Sequence, residues 1–225
     1  MTALDVRPLH LPPPCHEPVT VLYQDEAMVI VNKPAFLLSV PGRGPLKQDC
    51  VLNRLAAQFD DIRLVHRLDL DTSGLMVFAR GAESQRHLSR SFQQRLVRKE
   101  YRARVAGLVR DDAGEIELPI LTDWANRPRQ KICAEGKWSL TRYRVLERNP
   151  ASDSSLLALE PWTGRSHQLR IHLREIGHPI LGCDLYAPPA VLARSPRLLL
   201  HACALGLPHP ADERWCEFHC PAPFA

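Results

Sequence analysis

The pattern of apolar and polar positions along the chain predicts more strands than helices. Short β-branched or alternating apolar runs, separated by turn residues, are typical of strands. Such runs lie at residues 19–23, 28–31, 64–68, 75–79, 101–105, 115–118, 139–147, 155–160, 198–207 and 215–218. Helical spacing of apolar residues occurs at 51–59, 83–96 and 164–177. Because helices do not alternate regularly with strands, the pattern predicts an α+β fold around a large, mainly antiparallel sheet.

Length and composition bound the expected domain organisation. The chain has 225 residues, of which 45% are hydrophobic and 24% charged, as is typical of one globular domain with a substantial core. Five of the twenty prolines fall within the first eighteen residues, which show no apolar periodicity. We therefore expect an extended arm at residues 1–18, one domain at residues 19–225 and, by default, a monomer.

The sequence predicts neither export nor a membrane span. No apolar run approaches the roughly 20 residues that cross a bilayer, and the N-terminus lacks an apolar signal core behind a basic lead. The seven cysteines are odd in number and scattered, which favours reduced thiols over a disulfide framework. We therefore expect a cytoplasmic protein with no membrane partner.

Two groups of potential metal ligands have spacings that do not favour a metal site. Residues 216–220 hold two cysteines and a histidine, but the chain has no Cys-x-x-Cys pair. His167 and His172 are five apart, whereas zinc ligands that share a helix face are usually four apart. We expect no metal, and a zinc-dependent hydrolase using His66, His167 and His172 stays as an alternative.

The net charge of +4 is too small to identify a nucleic-acid ligand by itself. The distribution of the basic residues is more informative, because they form two groups along the chain. One group comprises Arg86, Arg90, Arg95, Arg98, Lys99, Arg102 and Arg104, and the other comprises Arg127, Arg129 and Lys131. Two such patches suit a phosphate backbone that crosses the surface, although a solvated helix face would show the same pattern.

A polar turn separates two apolar runs, at residues 66–74. It contains His66, Arg67, Asp69 and Asp71, followed by Thr-Ser-Gly. A polar cluster between buried segments is costly unless its members are paired or face a cleft, and loops on a rigid scaffold are common sites of catalysis. Asp69 is therefore a candidate functional carboxylate, although an aspartate in a turn can simply accept backbone hydrogen bonds. For Asp71, that simpler role is favoured.

A second polar cluster lies at residues 163–172, where the spacing predicts the start of a helix. Arg165 falls near the predicted N-terminus, where the helix dipole disfavours a positive charge unless an acid is close. The backbone N–H groups there also suit an anion. We therefore predict that Arg165 pairs with a carboxylate.

These segments resemble the RluA family of pseudouridine synthases. The family signature is carried by His66-Arg67-Leu68-Asp69 with Thr72-Ser73-Gly74. The family's other motifs have similar segments here in the same order, at residues 29–34, 99–101, 164–172, 200–202 and 209–210. The resemblance covers nearly the whole chain, and several motifs in order are more specific than one. It implies a single catalytic domain with no S4 RNA-binding domain, a mixed sheet with a central cleft, and no cofactor.

The resemblance also implies roles for individual side chains. Asp69 would act at the sugar as nucleophile or base, and Arg165 would pair with it and favour its charged form. Tyr101 would stack on the target base and help to remove the C5 proton; a core aromatic side chain is the simpler alternative. Arg67 would fill the space left by a flipped uridine. The other expected RNA contacts are His66, Lys99, Arg127, Arg129, Lys131 and His167.

Within the family, the resemblance is closest to the member that acts on two kinds of RNA. It implies a transfer RNA anticodon stem-loop and a hairpin of 23S ribosomal RNA as partners. A relative that acts at another ribosomal site, or a non-catalytic RNA-binding relative, is the alternative. One departure from the family pattern is clear: Gly182 is followed by Cys183 and then Asp184, where the family usually has Gly-Asp. The role of that aspartate is therefore expected to be shifted by one residue or lost.

Overall fold

The computed structural model describes residues 13–225, and their strands greatly outnumber their helices. The strands are β1 Thr20–Gln24, β2 Met28–Lys33, β3 Ile62–Leu64, β4 Ser73–Arg80, β5 Arg98–Ala106, β6 Ala113–Glu117, β7 Ile120–Thr122, β8 Gln130–Ile132, β9 Leu140–Asn149, β10 Ser154–Pro161, β11 Leu200–Pro208 and β12 Trp215–His219. The helices are α1 Val51–Ala56, α2 Gly81–Gln93, α3 Gln168–Glu175 and α4 Pro189–Leu192, with a 3₁₀ turn at Pro45–Lys47.

Ten of these strands form one mixed sheet. The main path is β1-β2-β4-β11-β5-β10-β9-β6, with β12 also paired to β11 and β3 to β4. Among the described strands, only β4 and β11 run parallel, at His201↔Ser73 and Ala202↔Gly74. The prediction of a large, mainly antiparallel sheet in an α+β domain is confirmed. The parallel contact joins the two halves of the sheet, and the polar turn at residues 66–72 leads directly into it.

Gly74 makes the close β4–β11 approach possible. Its φ is +114°, and a Cβ built on it would lie 2.3 Å from the backbone oxygen of Ala202. Both the positive φ and the contact exclude a side chain. We expect Gly74→Ala to lower the free energy of unfolding by about 3 kcal/mol or more, measured by urea titration. Gly164→Ala is the matched control, since a Cβ there meets nothing within 4 Å; equal stability of the two variants would contradict this account.

Buried apolar side chains form a core on both faces of the sheet. One cluster joins β5 and β10 to α3 through residues such as Val105, Leu157 and Ile171. Two further clusters cover the faces of β2 and β4, against α2 on one side and α1 on the other. Side chains of β4 are therefore buried on both faces, which explains its unbroken apolar run. The cleft described below lies where these halves meet.

Three local predictions from the sequence were wrong. The predicted strand at 64–68 ends at Leu64, because Ser39 Oγ, rather than a neighbouring strand, bonds both the N–H (3.1 Å) and the carbonyl (2.7 Å) of Leu68. The helix expected from 164 begins at Gln168, because His167 has a left-handed φ of 55°. The helix expected to run to residue 96 ends at Gln93, because Arg95 has a left-handed φ of 61°.

The expected N-terminal arm lies largely outside the described residues. Where the structure begins, at residue 13, the chain is irregular as far as residue 19. Arg54 binds this stretch by donating hydrogen bonds to the carbonyls of Cys15 and Glu17, at 2.5 and 2.7 Å. The boundary between an arm and a domain stays a prediction. In residues 13–225, no helix is both long enough and apolar enough to span a membrane.

Candidate active site

A cleft of about 310 Å³ lies at the junction of the two halves of the sheet. It is bordered by the 66–72 turn, by β5 and by the approach to α3. Its lining includes His66, Arg67, Asp69, Thr72, Phe92, Lys99, Tyr101, Arg165, His167, Arg170 and Leu200. The structure thus brings seven of the ten predicted site residues to one place, namely Asp69, Tyr101, Arg165, His66, Arg67, Lys99 and His167.

The turn that carries Asp69 is fixed by hydrogen bonds from a buried lysine. The ammonium group of Lys33 is fully buried and donates to the carbonyl oxygens of Pro34 (2.8 Å), Leu37 (2.7 Å) and Leu70 (3.0 Å). Burial lowers the pKa of Lys33 to about 7, although Asp71 and Asp69 act in the opposite direction. The Asp69 carbonyl accepts the Thr72 N–H at 3.2 Å. The side chain of Asp69 is therefore presented from a fixed backbone and stays 28% exposed to the cleft.

His167 lies beside the Asp69 carboxylate, with Nε2 3.9 Å from Oδ1. Its Nδ1 is 2.7 Å from the Tyr186 hydroxyl, which also accepts the Gln130 N–H at 2.8 Å. A hydroxyl that accepts from Gln130 can donate its own proton to Nδ1, which leaves the proton of neutral His167 on Nε2, facing Asp69. Burial lowers the pKa of His167, against the opposing effect of Asp69. A neutral imidazole is therefore favoured, with its Nε2–H facing Asp69 beyond hydrogen-bonding distance.

Arg170 is the buried cation beneath the cleft. Its side chain is 1% exposed and pairs with Asp71 at 3.5 Å and with Asp184. Its Nε donates to the Cys183 thiol at 3.4 Å. Burial acts to lower the pKa of Arg170, but the nearby Cys183, Asp69 and Asp184 outweigh it, and the pKa is raised. Arg170 therefore supplies a permanent positive charge close to the Asp69 carboxylate.

The ion pair expected between Arg165 and Asp69 does not form within the described residues. Arg165 lies at the mouth of the cleft, where its guanidinium is 3.4 Å from the Trp138 carbonyl. Arg165 was expected at the start of a helix, but α3 begins three residues after it. The backbone N–H of Arg165 instead binds the side chain of Gln168 at 3.0 Å. Among the described residues, its guanidinium has the contact with the Trp138 carbonyl but no carboxylate partner.

Tyr101 lies in the middle of β5, opposite Leu159 on one side and Ala202 on the other. This register places its ring at the β4–β11 junction, on the cleft lining. Burial raises the pKa of Tyr101, and the charge of Asp69 adds to the effect. The phenol is therefore protonated at neutral pH and offers the cleft an aromatic ring with one O–H group.

Of the other predicted cleft residues, His66 is fixed by contacts with its neighbours, whereas Arg67 has no ion pair among the described residues. His66 Nε2 accepts the Val77 N–H at 3.1 Å, and its ring stacks on Phe92 at 4.7 Å. Burial, with a contribution from Lys99, lowers the pKa of His66 to about 3, so it is neutral. Within residues 13–225, Arg67 has no ion pair and is exposed at the cleft. His66 therefore anchors the turn, and Arg67 presents an exposed guanidinium to the cleft.

The remaining three predicted residues lie together in a separate hairpin. β7 and β8 form this hairpin, whose loop and second strand contain Arg127, Arg129 and Lys131, all exposed. The guanidinium of Arg127 lies over the Trp124 ring at 4.8 Å. The Gln130 N–H that binds Tyr186 belongs to β8. The hairpin is thus joined to the cleft by the chain of contacts from Gln130 through Tyr186 and His167 to Asp69.

The departure at Cys183 shifts the aspartate without removing its contact. Both Cys183 and Asp184 bind the Arg170 guanidinium, one through sulfur and the other through a carboxylate oxygen. The structure therefore supports a shifted role rather than a lost one. In residues 13–225, no three His, Cys, Asp or Glu side chains are grouped so that they could hold a metal ion.

The residues missed by the sequence reasoning are Arg170, Lys33 and Tyr186. Arg170 stands between the apolar residues Leu169 and Ile171, and Lys33 follows the apolar run 28–31 after one asparagine. A charge so close to apolar positions is itself a signal, because a charge that becomes buried must be paired or hydrogen-bonded. Tyr186 follows the Gly182-Cys183-Asp184 departure and has no comparable signal in the sequence.

A carboxylate exposed to a cleft, with a protonated tyrosine and a buried arginine beside it, has the make-up of an enzyme active site. The model of the RNA pseudouridylate synthase family matches residues 27–175, and the chain belongs to that family. It is an RNA pseudouridine synthase, which isomerises uridine in RNA.

The chain is similar over nearly its full length to curated bacterial relatives. It is 46% identical over 213 residues to the dual-specificity RNA pseudouridine synthase RluA of Pasteurella multocida, covering 94% of this chain and 97% of the relative. The Vibrio cholerae protein of the same name is 47% identical over 215 residues, covering 92% and 86%. The resemblance to the RluA family is confirmed.

Two solved human structures share the fold. RNA pseudouridylate synthase domain containing 1 has a TM-score of 0.79 at 30% identity, covering 95% of this chain and 87% of that one. RNA pseudouridylate synthase domain containing 4 has a TM-score of 0.73 at 29% identity, covering 91% and 88%. The predicted fold class is therefore confirmed by these structures as well as by the sheet topology.

Proposed function

We propose that this enzyme modifies two RNAs, a transfer RNA anticodon stem-loop and a hairpin of 23S ribosomal RNA. The similarity to relatives named dual-specificity synthases, at 46% identity over 94% of the chain, supports this proposal. The observation that carries the chemistry is the Asp69 carboxylate, exposed to a cleft beside Tyr101 and above the buried Arg170. RNA substrates imply a cytoplasmic location.

In the proposed reaction, Asp69 acts on the ribose of the target uridine. The N1–C1′ bond breaks, the uracil turns, C5 bonds to C1′, and the proton on C5 is lost while N1 gains one, so that the product is an isomer. A carboxylate can serve such a glycosidic cleavage as nucleophile at C1′ or as base at the sugar. Arg170 and the Nε2–H of His167 would keep that carboxylate ionised and aligned.

Tyr101 is proposed to hold the uracil during its turn. Its ring offers a stacking surface, and stacking does not depend on which edge of the base faces the protein. The raised pKa keeps the phenol protonated, so the hydroxyl would pass the C5 proton on as a relay rather than remove it as a phenolate.

The cleft admits one base, so the uridine must leave its stack in the RNA. This costs a few kcal/mol, and Arg67 is proposed to fill the space that the base leaves, because a planar guanidinium stacks well on bases. His66 would hold the backbone beside Arg67. Lys99, whose pKa burial lowers, would meet phosphate at the cleft edge. Arg127, Arg129 and Lys131 would bind phosphates along the hairpin.

The dual specificity is tested with two synthetic RNAs, an anticodon stem-loop and the ribosomal hairpin. We expect the purified enzyme to form pseudouridine in both, detected by carbodiimide modification and primer extension. The matched controls carry cytidine in place of the target uridine and should show no stop. Modification of only one RNA would restrict the specificity, and modification of neither would contradict the substrate proposal.

We also propose that the enzyme acts as a monomer. Light scattering at the concentrations used in the assay should give the mass of a single chain.

A further inference from the structure

A second and larger groove adjoins the cleft. Its volume is about 1260 Å³, against about 310 Å³ for the cleft. The two share part of their lining, namely Phe92, Lys99, Pro161, Thr163, Gly164 and Arg165. A strand of RNA that places a uridine in the cleft therefore has an open path into this groove.

Two exposed tryptophans line the groove. Trp162 follows β10 and is 46% exposed, and Trp215 begins β12 and is 45% exposed. An arginine lies over each ring: Arg142 over Trp162, and Arg98 over Trp215, both at 5.3 Å. An indole that is half exposed and pinned by a guanidinium is a rigid platform for a nucleic-acid base, which can stack on the free part of the ring.

The charges in the groove also favour a polyanion. Four lining cations have no acidic partner among the described residues: Arg95, Arg98, Lys99 and Arg165. Three of the four lining acids are engaged by the protein itself: Glu100 by Arg102, Glu213 by His87, and Glu217 by the Trp215 indole N–H. The cations are thus available for phosphates, while most of the acids are already neutralised or hydrogen-bonded.

We propose that this groove, here called the tryptophan groove, binds unpaired nucleotides of the same RNA strand that supplies the uridine. Bases flanking the target stack on Trp162 and Trp215, and the phosphates between them meet Arg95, Arg98 and Arg165. This inference rests on the proposed stem-loop substrates, whose loops contain unpaired bases. It makes the groove a determinant of which loops the enzyme accepts.

Single alanine and phenylalanine variants at Trp162 and Trp215 test the stacking. Loss of a stacked base contact should weaken binding of the stem-loop by about 5- to 30-fold for each alanine variant. The phenylalanine variants should recover most of that loss, since a phenyl ring still stacks. Leu192→Ala removes an exposed apolar side chain of α4 that does not line the groove, and should bind as tightly as the wild type. Equal binding by both alanine variants and the wild type would overturn the proposal.

Abasic RNA identifies the partner of the indoles. A stem-loop with abasic sites on either side of the target uridine should bind the wild type about as weakly as the alanine variants bind intact RNA, and the variants should lose little more. If the variants lose affinity equally for intact and abasic RNA, the tryptophans do not stack on bases and the proposal fails.

Pseudouridine formation is followed in the same samples. A wild type that modifies the stem-loop while tryptophan variants bind normally refutes only the groove, whereas an unmodified stem-loop refutes the substrate assignment.

Discussion

Asp69→Asn should abolish pseudouridine formation while leaving the fold and RNA binding intact. Asparagine has nearly the same shape as aspartate, and the turn is held through backbone contacts from Lys33 and Ser39 rather than through the carboxylate. A neutral amide, however, can neither attack C1′ nor accept a sugar proton. We expect the single-turnover rate constant at saturating RNA to fall on the order of 10⁴-fold or more, as when other catalytic nucleophiles are removed.

The control for Asp69→Asn is the same exchange at Asp111, an exposed residue in the turn between β5 and β6. Asp111→Asn should keep the wild-type rate. RNA binding by Asp69→Asn, measured by filter binding, should stay within about threefold of the wild type, which separates chemistry from recognition. Pseudouridine yields equal to those of the wild type would show that Asp69 is only a turn residue and would remove it from the proposed mechanism.

The sequence predicted the fold class because hydrophobic alternation reports burial directly. β4 and β11 appear as unbroken apolar runs since both faces of the sheet are covered there, and α2 shows a clear helical stripe. The short strands β7 and β8 were missed, because three residues carry no period. Residues 65–68 were taken for the end of a strand, but the side chain of Ser39, distant in sequence, bonds the backbone of Leu68 in place of a neighbouring strand.

The sequence located the candidate site but did not predict which charged side chains pair with each other there. Asp69 and Tyr101 were found by resemblance, and the structure places both on the cleft lining. Which arginine lies near the carboxylate depends on where α3 starts and which of its faces is buried. The left-handed conformation of His167 delays the helix start by four residues, from 164 to 168. That delay turns Arg165 outward and Arg170 inward, a difference that spacing alone does not reveal.

Arg170→Lys should therefore impair catalysis far more than Arg165→Lys. Lysine keeps the charge but loses the planar fork that contacts Asp71, Cys183 and Asp184 together. Misplacement of the carboxylate by about 1 Å costs on the order of 10²-fold in rate, so we expect a fall of about that size in the single-turnover rate constant. Arg165→Lys, at the cleft mouth, should instead raise the RNA concentration needed for half-saturation. A larger loss of rate from Arg165→Lys would make Arg165 the partner of Asp69.

Substitutions at Arg170 and Arg165 should also differ in their effect on the stability of the fold. Arg170→Met leaves Asp71 and Asp184 without their cation and should lower the free energy of unfolding by about 3–5 kcal/mol, whereas the same exchange at Arg165 should cost about 0.5 kcal/mol or less.

Burial already raises the pKa of Asp71, and Arg170 opposes that rise. Without Arg170 the folded-state pKa of Asp71 rises further above its unfolded value. The folded variant then binds a proton more readily, so it gains stability relative to the wild type as the pH falls and loses it as the pH rises through that pKa. Urea titrations of both Met variants should be run at neutral and mildly acidic pH. The difference in free energy of unfolding from the wild type should shrink on acidification only for Arg170→Met. A difference that does not depend on pH would mean that Asp71 does not carry the uncompensated charge.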